Sequence, residues 1–285
     1  MFTRYWQAPP SARVKRVATL CVLCAPILIG RARAQEPPPR DDSVPCEFCD
    51  FGKTLARDTR EVFTAPTRWG GPEWGSVAWK SALVVGSIAL LDEPARDYLD
   101  RHRSDTTQKI ADVFEPFGAE YALGTLAGFA LVGALGDAPR ARAAALDGTV
   151  STLITSGMIV PVLKYATGRS RPNTGQGATD FNPFNGGESF PSGHTAEAFT
   201  IAASIAENYD AVWVKSLSYS VAGLVGYARM EHDAHWLSDV TAGAFIGVGV
   251  VRQVSRLNRG RRSSELAFAP LDEHGVRGIR VAMAF

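Results

Sequence analysis

Little in this chain of 285 residues is available for metal or redox chemistry. There are only four cysteines and five histidines. Cys21 and Cys24 fall in an apolar N-terminal run, which leaves Cys46 and Cys49 as a single Cys-x-x-Cys pair. With no second ligand pair zinc is not expected, and with no βαβ pattern around it neither is a thioredoxin-like site. A local disulfide in an oxidising compartment is the reading that remains. Charge of one sign is also missing: 30 basic and 29 acidic residues give a net +1. Nucleic acid is therefore not an expected partner, and any anion recognition must be local. Long apolar runs are lacking as well. The longest uncharged stretches, Tyr121–Gly136 and Gly148–Leu163, fall short of the ~20 residues of a comfortable membrane span. Lys80, Glu197, Glu207 and Lys215 interrupt the others, and the mean hydropathy is −0.03. The expectation is a bundle lying outside the inner membrane and resting on its surface, with an integral inner-membrane protein as the alternative.

What the chain does have is ordered along it. Arg13, Lys15 and Arg16 precede an apolar run from Val17 to Gly30, and Ala32-Arg33-Ala34 supplies a cleavage pattern. Residues 1–34 thus read as a secretory signal, which would place the remainder outside the cytoplasm. Residues 35–74, with Pro37-Pro38-Pro39, read as an extended leader. Helical periodicity then predicts helices over 75–91, 94–115 (amphipathic and breakable), 119–136, 140–167, 194–208, 211–228 and 234–257. The fold class is all-α, a bundle of about six main helices over residues 75–257. After a basic cluster from Arg252 to Arg262, Glu265–Pro270 and Val276–Phe285 alternate in part around Asp272-Glu273-His274-Gly275. That suggests a short β-hairpin in a C-terminal extension, 258–285.

Three clusters carry chemistry. The first is Lys164-Tyr-Ala-Thr-Gly-Arg-Ser-Arg171-Pro172, where a spacing of seven would return Lys164 and Arg171 to one helix face. The second is Ser189-Phe-Pro-Ser192-Gly193-His194, a turn that opens a helix and aims unpaired N–H groups at one point. The third is Arg229-Met-Glu-His-Asp-Ala-His235-Trp-Leu-Ser-Asp239. With a helix starting near Ala234, His235 and Asp239 are i,i+4 neighbours, so the carboxylate can fix one imidazole tautomer and leave the other nitrogen free. His232 and Asp233 tempt a metal reading with His235, but no further ligand set completes it.

Together the order and spacing of these clusters resemble the signature of the type 2 phosphatidic acid phosphatase (PAP2) superfamily, which also holds class A acid phosphatases and vanadium-dependent haloperoxidases. One position departs: Ala228 stands where the family commonly has Ser before the third-cluster arginine. The resemblance implies a metal-independent phosphatase without a cofactor, acting on phosphomonoesters or lipid (pyro)phosphates. Lys164, Arg171 and Arg229, with the backbone of Ser192 and Gly193, would bind phosphate. His235, oriented by Asp239, would attack phosphorus, and His194 would protonate the leaving alcohol. The alternative it implies is a haloperoxidase holding vanadate on the same cations.

Overall fold

The computed structural model describes the chain from Glu47 to Ser264 and two strands beyond it, Leu266–Glu273 and Val276–Met283. The expected signal, residue Cys46 and most of the proline-rich stretch lie outside the described residues. Ten α-helices occur among the described residues: α1 Glu47–Thr64, α2 Gly71–Leu90, α3 Asp92–His102, α4 Asp105–Phe114, α5 Glu120–Leu135, α6 Pro139–Ile154, α7 Val160–Thr167, α8 Gly193–Asn208, α9 Val212–Glu231 and α10 Leu237–Ser264. The all-α class stands. The strands, β1 and β2, pair antiparallel from Leu266↔Met283 to Glu273↔Val276, as the alternation suggested.

Two departures from the periodicity, and the break allowed for in 94–115, have physical causes. Residues 47–64 are helical rather than an extended leader. Phe51, Leu55 and Val62 fall on one helical face and pack on a cluster of Val150, Ile154, Val250 and Val254. Arg261 at the end of α10 adds a bond to the buried Asp58 at 2.6 Å. The 94–115 segment is two helices, because Ser104 caps α4 by accepting from the Thr107 N–H. The 140–167 segment is continuous but contains a π turn, Thr155–Ile159, just before Pro161. Pro161 has no N–H to give the preceding turn, so the hydrogen-bond ladder widens there.

The core is built from small residues. Ala198, Ala202, Ala222 and Val225 join α8 to α9, and Ala122, Leu126 and Ile201 join α5 to α8. Gly243 and Gly247 let α10 lie directly on α8: a Cβ at either would strike the carbonyl of Ser192 or Ala196. This contact brings the starts of α8 and α10 together, and both ends carry site residues.

Pro139–Thr167 is, by length and composition, long and apolar enough to cross a membrane, with 29 residues and a window hydropathy of 1.4. The bent pairs α2–α3 (59°) and α4–α5 (54°) would add two more if each is one span. The expectation that every apolar run falls short is thus corrected for this helix. Arg140, Arg142 and Lys164 sit near its ends, and its interior Asp147 is fully buried, accepting from Ser255 (2.7 Å), Asn258 (2.7 Å) and Asn208 (3.2 Å). Large apolar side chains face outward on the same elements, among them Trp79 and Leu83 on α2, Leu123 and Leu131 on α5, and Leu153 and Val162 on α6 and α7.

Candidate active site

The loop from Gly168 to Ser192 carries the first cluster across to the second. Lys164 is in the last turn of α7, which stops at Gly168 in the left-handed conformation (φ 57°), its N–H bonded to Lys164 O at 2.9 Å. Arg171 is therefore not on a helix with Lys164, as the spacing of seven suggested, but in extended backbone (φ −76°, ψ 154°). The loop folds back so that Ser189 N–H donates to Arg169 O at 3.1 Å. Lys164 and Arg171 are still both electrostatic neighbours of His194.

At the start of α8, Ser192 caps its own helix, its Oγ lying 2.9 Å from Thr195 Oγ1. Its N–H is already used, donating to Asp239 O at 3.0 Å. The Gly193 N–H, at the first helical position, has no carbonyl within its own helix to donate to. Lys164, Gly193 and His194 line one cleft of about 320 Å³. Burial pushes the His194 imidazole below its ordinary pKa; Lys164 and Arg171 push the same way, and Glu120 opposes them.

α10 begins at Leu237, two residues later than His235, yet the His235–Asp239 pair persists. Its geometry differs from the expectation. His235 Nδ1 lies 2.8 Å from Ser189 O and 3.6 Å from Asp239 Oδ2, so the backbone carbonyl accepts the Nδ1 proton. Nε2 then carries the lone pair. Asp239 acts one step removed. It accepts from Ser189 Oγ (2.5 Å), Trp236 N–H (2.9 Å) and Arg169 Nη1 (2.5 Å), and so fixes the strip of chain that holds Ser189 against the ring. Burial pushes the Asp239 carboxyl up, but His235, Arg169 and Ser189 outweigh it and hold the pKa below the usual range. Burial lowers the pKa of His235; Asp239 opposes that, and Arg229 and Lys164 reinforce it.

Arg229, in the last turn of α9, is buried, and burial depresses its pKa too. One of its Nη groups bonds Glu115, while its Nε is buried without a partner. Arg171 is similar: Nη2 reaches Glu188 at 3.1 Å and Nε has no partner. Buried guanidinium donors left open in this way call for an acceptor. His232 and Asp233 point elsewhere. His232 bridges Glu115 (2.9 Å) and Asp112 (3.2 Å), and Asp233 takes a two-pronged bond from Arg96 at 3.0 Å on each oxygen. Among the described residues no group of three or more His, Cys, Asp or Glu could hold a metal ion.

Sequence reasoning missed the layer beneath. Arg169 is fully buried and joins Asp239 to Asp92, which accepts from Arg169 Nη2 (2.7 Å), Ser238 Oγ (2.6 Å) and Ser238 N–H (2.8 Å). Arg169 sat inside the first cluster and could have been flagged as a third cation there. Asp92 and Glu115, far upstream, carry no local mark.

The sequence model of the PAP2 superfamily matches residues 148–263. A lipid A 1-phosphatase of Porphyromonas gingivalis is 37% identical over 94 residues, covering 32% of this chain and 19% of that protein. One from Rhizobium etli is 34% identical over 102 residues, covering 34% of this chain and 43% of that protein. The chain thus spans less than half the length of these curated relatives. The crystal structure of Aquifex aeolicus LpxE superposes with a TM-score of 0.47 at 23% identity, covering 58% of this chain and 95% of that one. The stretch that matches the PAP2 superfamily, residues 148–263, carries Lys164, Arg171, Ser192, Gly193, His194, Arg229, His235 and Asp239.

Proposed function

We propose that the protein is a metal-independent phosphatase that hydrolyses lipid phosphomonoesters on the extracytoplasmic side of a membrane, through a phosphohistidine on His235. One observation carries the reading: Lys164, Gly193 and His194 line one cleft, and Arg171, Arg229 and His235 are electrostatic neighbours of its groups. Lys164 acts on both rings, Arg171 on His194 and Arg229 on His235. A phosphoryl group in transfer spreads negative charge over its equatorial oxygens, and fixed cations with open N–H donors are what stabilises it.

The steps follow from the hydrogen bonds. With its Nδ1 proton given to Ser189 O, His235 attacks phosphorus through the Nε2 lone pair. The bond from phosphorus to the leaving oxygen breaks, and that oxygen keeps the electron pair and takes a proton from His194. His194, now neutral, removes a proton from a water whose oxygen attacks the phosphohistidine. The P–N bond breaks, its pair returns to Nε2, and inorganic phosphate departs. Lys164, Arg171 and Arg229 remain fixed throughout, with the Gly193 N–H as a backbone donor.

The lipid substrate class is supported by the lipid A 1-phosphatases among the relatives and by the outward apolar faces of α2, α5, α6 and α7. The extracytoplasmic side is supported by the signal pattern of residues 1–34. The haloperoxidase reading has no observation in its favour, although the same cations make vanadate an expected inhibitor. The test is phosphate release from a lipid phosphomonoester in mixed micelles with chelator present. We expect turnover and an acid-labile phosphoenzyme in the native protein, and neither in His235→Ala. Release that persists in His235→Ala would refute the assigned nucleophile.

A further inference from the structure

The cleft beside His194 has a wall that the chemistry just described does not use. Two polar side chains lie there, Glu197 and Ser156, set among Gly118, Val160 and Pro161. We propose that this wall is the subsite for the leaving alcohol, and that Glu197 with Ser156 selects a neutral, hydroxyl-bearing alcohol such as a sugar over a second phosphate. The inference rests on the phosphatase reading above and deepens it.

Place comes first. The departing oxygen must reach His194, so whatever it is attached to occupies the space that His194 faces. Glu197 is about one turn further along α8 and lines that same cleft. Ser156 lies across from it in the π turn, where the extra residue changes the direction of the side chains. Gly118 packs closely on this wall: a Cβ there would collide with the backbone and side chain of His194.

The chemistry of the pair sets the class. No Lys or Arg among the described residues makes an ion pair with Glu197, unlike Glu115 and Glu188 at the phosphate end. Ser156 Oγ is buried without a bond of good geometry, although it is close enough to draw the Glu197 pKa down. Burial is the larger effect and raises that pKa. A carboxyl and a hydroxyl together can donate to and accept from a neutral hydroxyl. A diphosphate substrate would instead put its departing phosphate, a bare anion, against Glu197, and like charges at that range repel. The alcohol of a phosphomonoester avoids this.

The experiment compares kcat/KM for glucose 1-phosphate, phenyl phosphate and farnesyl diphosphate, in the full chain and in Glu197→Leu, Glu197→Gln and Ser156→Ala. Loss of hydrogen bonds to a hydroxylated leaving group should lower the ratio of glucose 1-phosphate to phenyl phosphate about ten-fold in Glu197→Leu. Ser156→Ala, which leaves the helix packing intact, should move the ratio the same way. Glu197→Gln, which keeps hydrogen bonding but removes the charge, should hold that ratio and raise the rate on farnesyl diphosphate relative to phenyl phosphate. An unchanged ratio in both Glu197→Leu and Ser156→Ala would overturn the subsite. A native chain that releases phosphate from none of the three, nor from a lipid phosphomonoester in mixed micelles, would instead overturn the phosphatase reading itself and the subsite with it; one that acts on the lipid phosphomonoester but not on glucose 1-phosphate would overturn the subsite alone.

Discussion

Replacing Arg169 with Met should destabilise the fold heavily, and the loss should depend on pH in a direction that packing alone cannot produce. The side chain has no exposed surface, and neither do the two carboxylates it joins, Asp92 at 2.7 Å and Asp239 at 2.5 Å. Its Nε also donates to Ala178 O at 3.0 Å. Removing one member of a buried ion pair costs about 3–5 kcal/mol, because the partner is left charged in a poor solvent. Here two carboxylates lose their cation, so the upper part of that range applies. At about 2–4 °C per kcal/mol for a domain of this size, melting should fall by roughly 10–20 °C. The pH test follows from Asp239. Its folded pKa lies below the ordinary 3.8, so the group adds stability above that value and loses it as pH falls through the folded pKa. Without Arg169 a lowering influence is gone and burial pushes the carboxyl up, so the ionised form becomes a burden at neutral pH. Acidification from pH 7.5 to 5 costs both proteins stability through the buried His194 and His235, whose pKa values lie below 6.5, but it should also relieve the variant's carboxylate and so narrow the gap between them. Thermal melts by circular dichroism at the two values measure the gap. A variant melting within about 4 °C of the native protein at pH 7.5, or a gap that fails to narrow at pH 5, would refute this account.

Two further outcomes test the charges around phosphate. Glu115 holds Arg229 in the absence of an anion, so Glu115→Gln should free that guanidinium and tighten inhibition by vanadate; weaker inhibition would mean that Glu115 positions Arg229 rather than competing for it. Burial holds the His235 pKa below the ordinary 6.5, so the unprotonated nucleophile survives into mild acid and the acid limb of kcat/KM should have its midpoint below 6.5; a midpoint at or above 6.5 would contradict the buried ring.

The parts of this site that were legible in the sequence are those whose roles are fixed by local geometry. Ser192-Gly193-His194 opens a helix because Ser can cap and Gly tolerates close approach, and both properties are carried by the residues themselves. The spacing from His235 to Asp239 survives a helix start displaced by several residues, since the turn before α10 keeps the two on one side. Where the reading erred, a distant partner decided. Lys164 and Arg171 converge through a left-handed Gly168 and a loop pinned by Arg169, rather than through helical repeat. The imidazole tautomer is set by Ser189 O, a main-chain atom that no side-chain pattern marks. Residues 47–64 looked like a leader because their apolar face is thin, and only the Val150 and Val254 cluster gives that face something to bury against.

Asp92 shows most clearly why the matched segment is not a site on its own. It lies at the start of α3, outside residues 148–263, yet it accepts from the Ser238 N–H and Oγ in the first turn of α10 and from Arg169. A carboxylate there also complements the positive end of the α10 dipole. Arg169 in turn neutralises Asp239, Asp239 holds Ser189 Oγ, and Ser189 O orients His235. The sequence of contacts runs from an upstream helix to the His235 ring through buried groups. Each link but the last is a charge-assisted hydrogen bond, and all lie in a buried setting, where an unpaired group is costly and misplacement is therefore resisted. The position of the His235 Nε2 lone pair is thus an outcome of tertiary packing, while the proposal that it attacks phosphorus began from the local spacing.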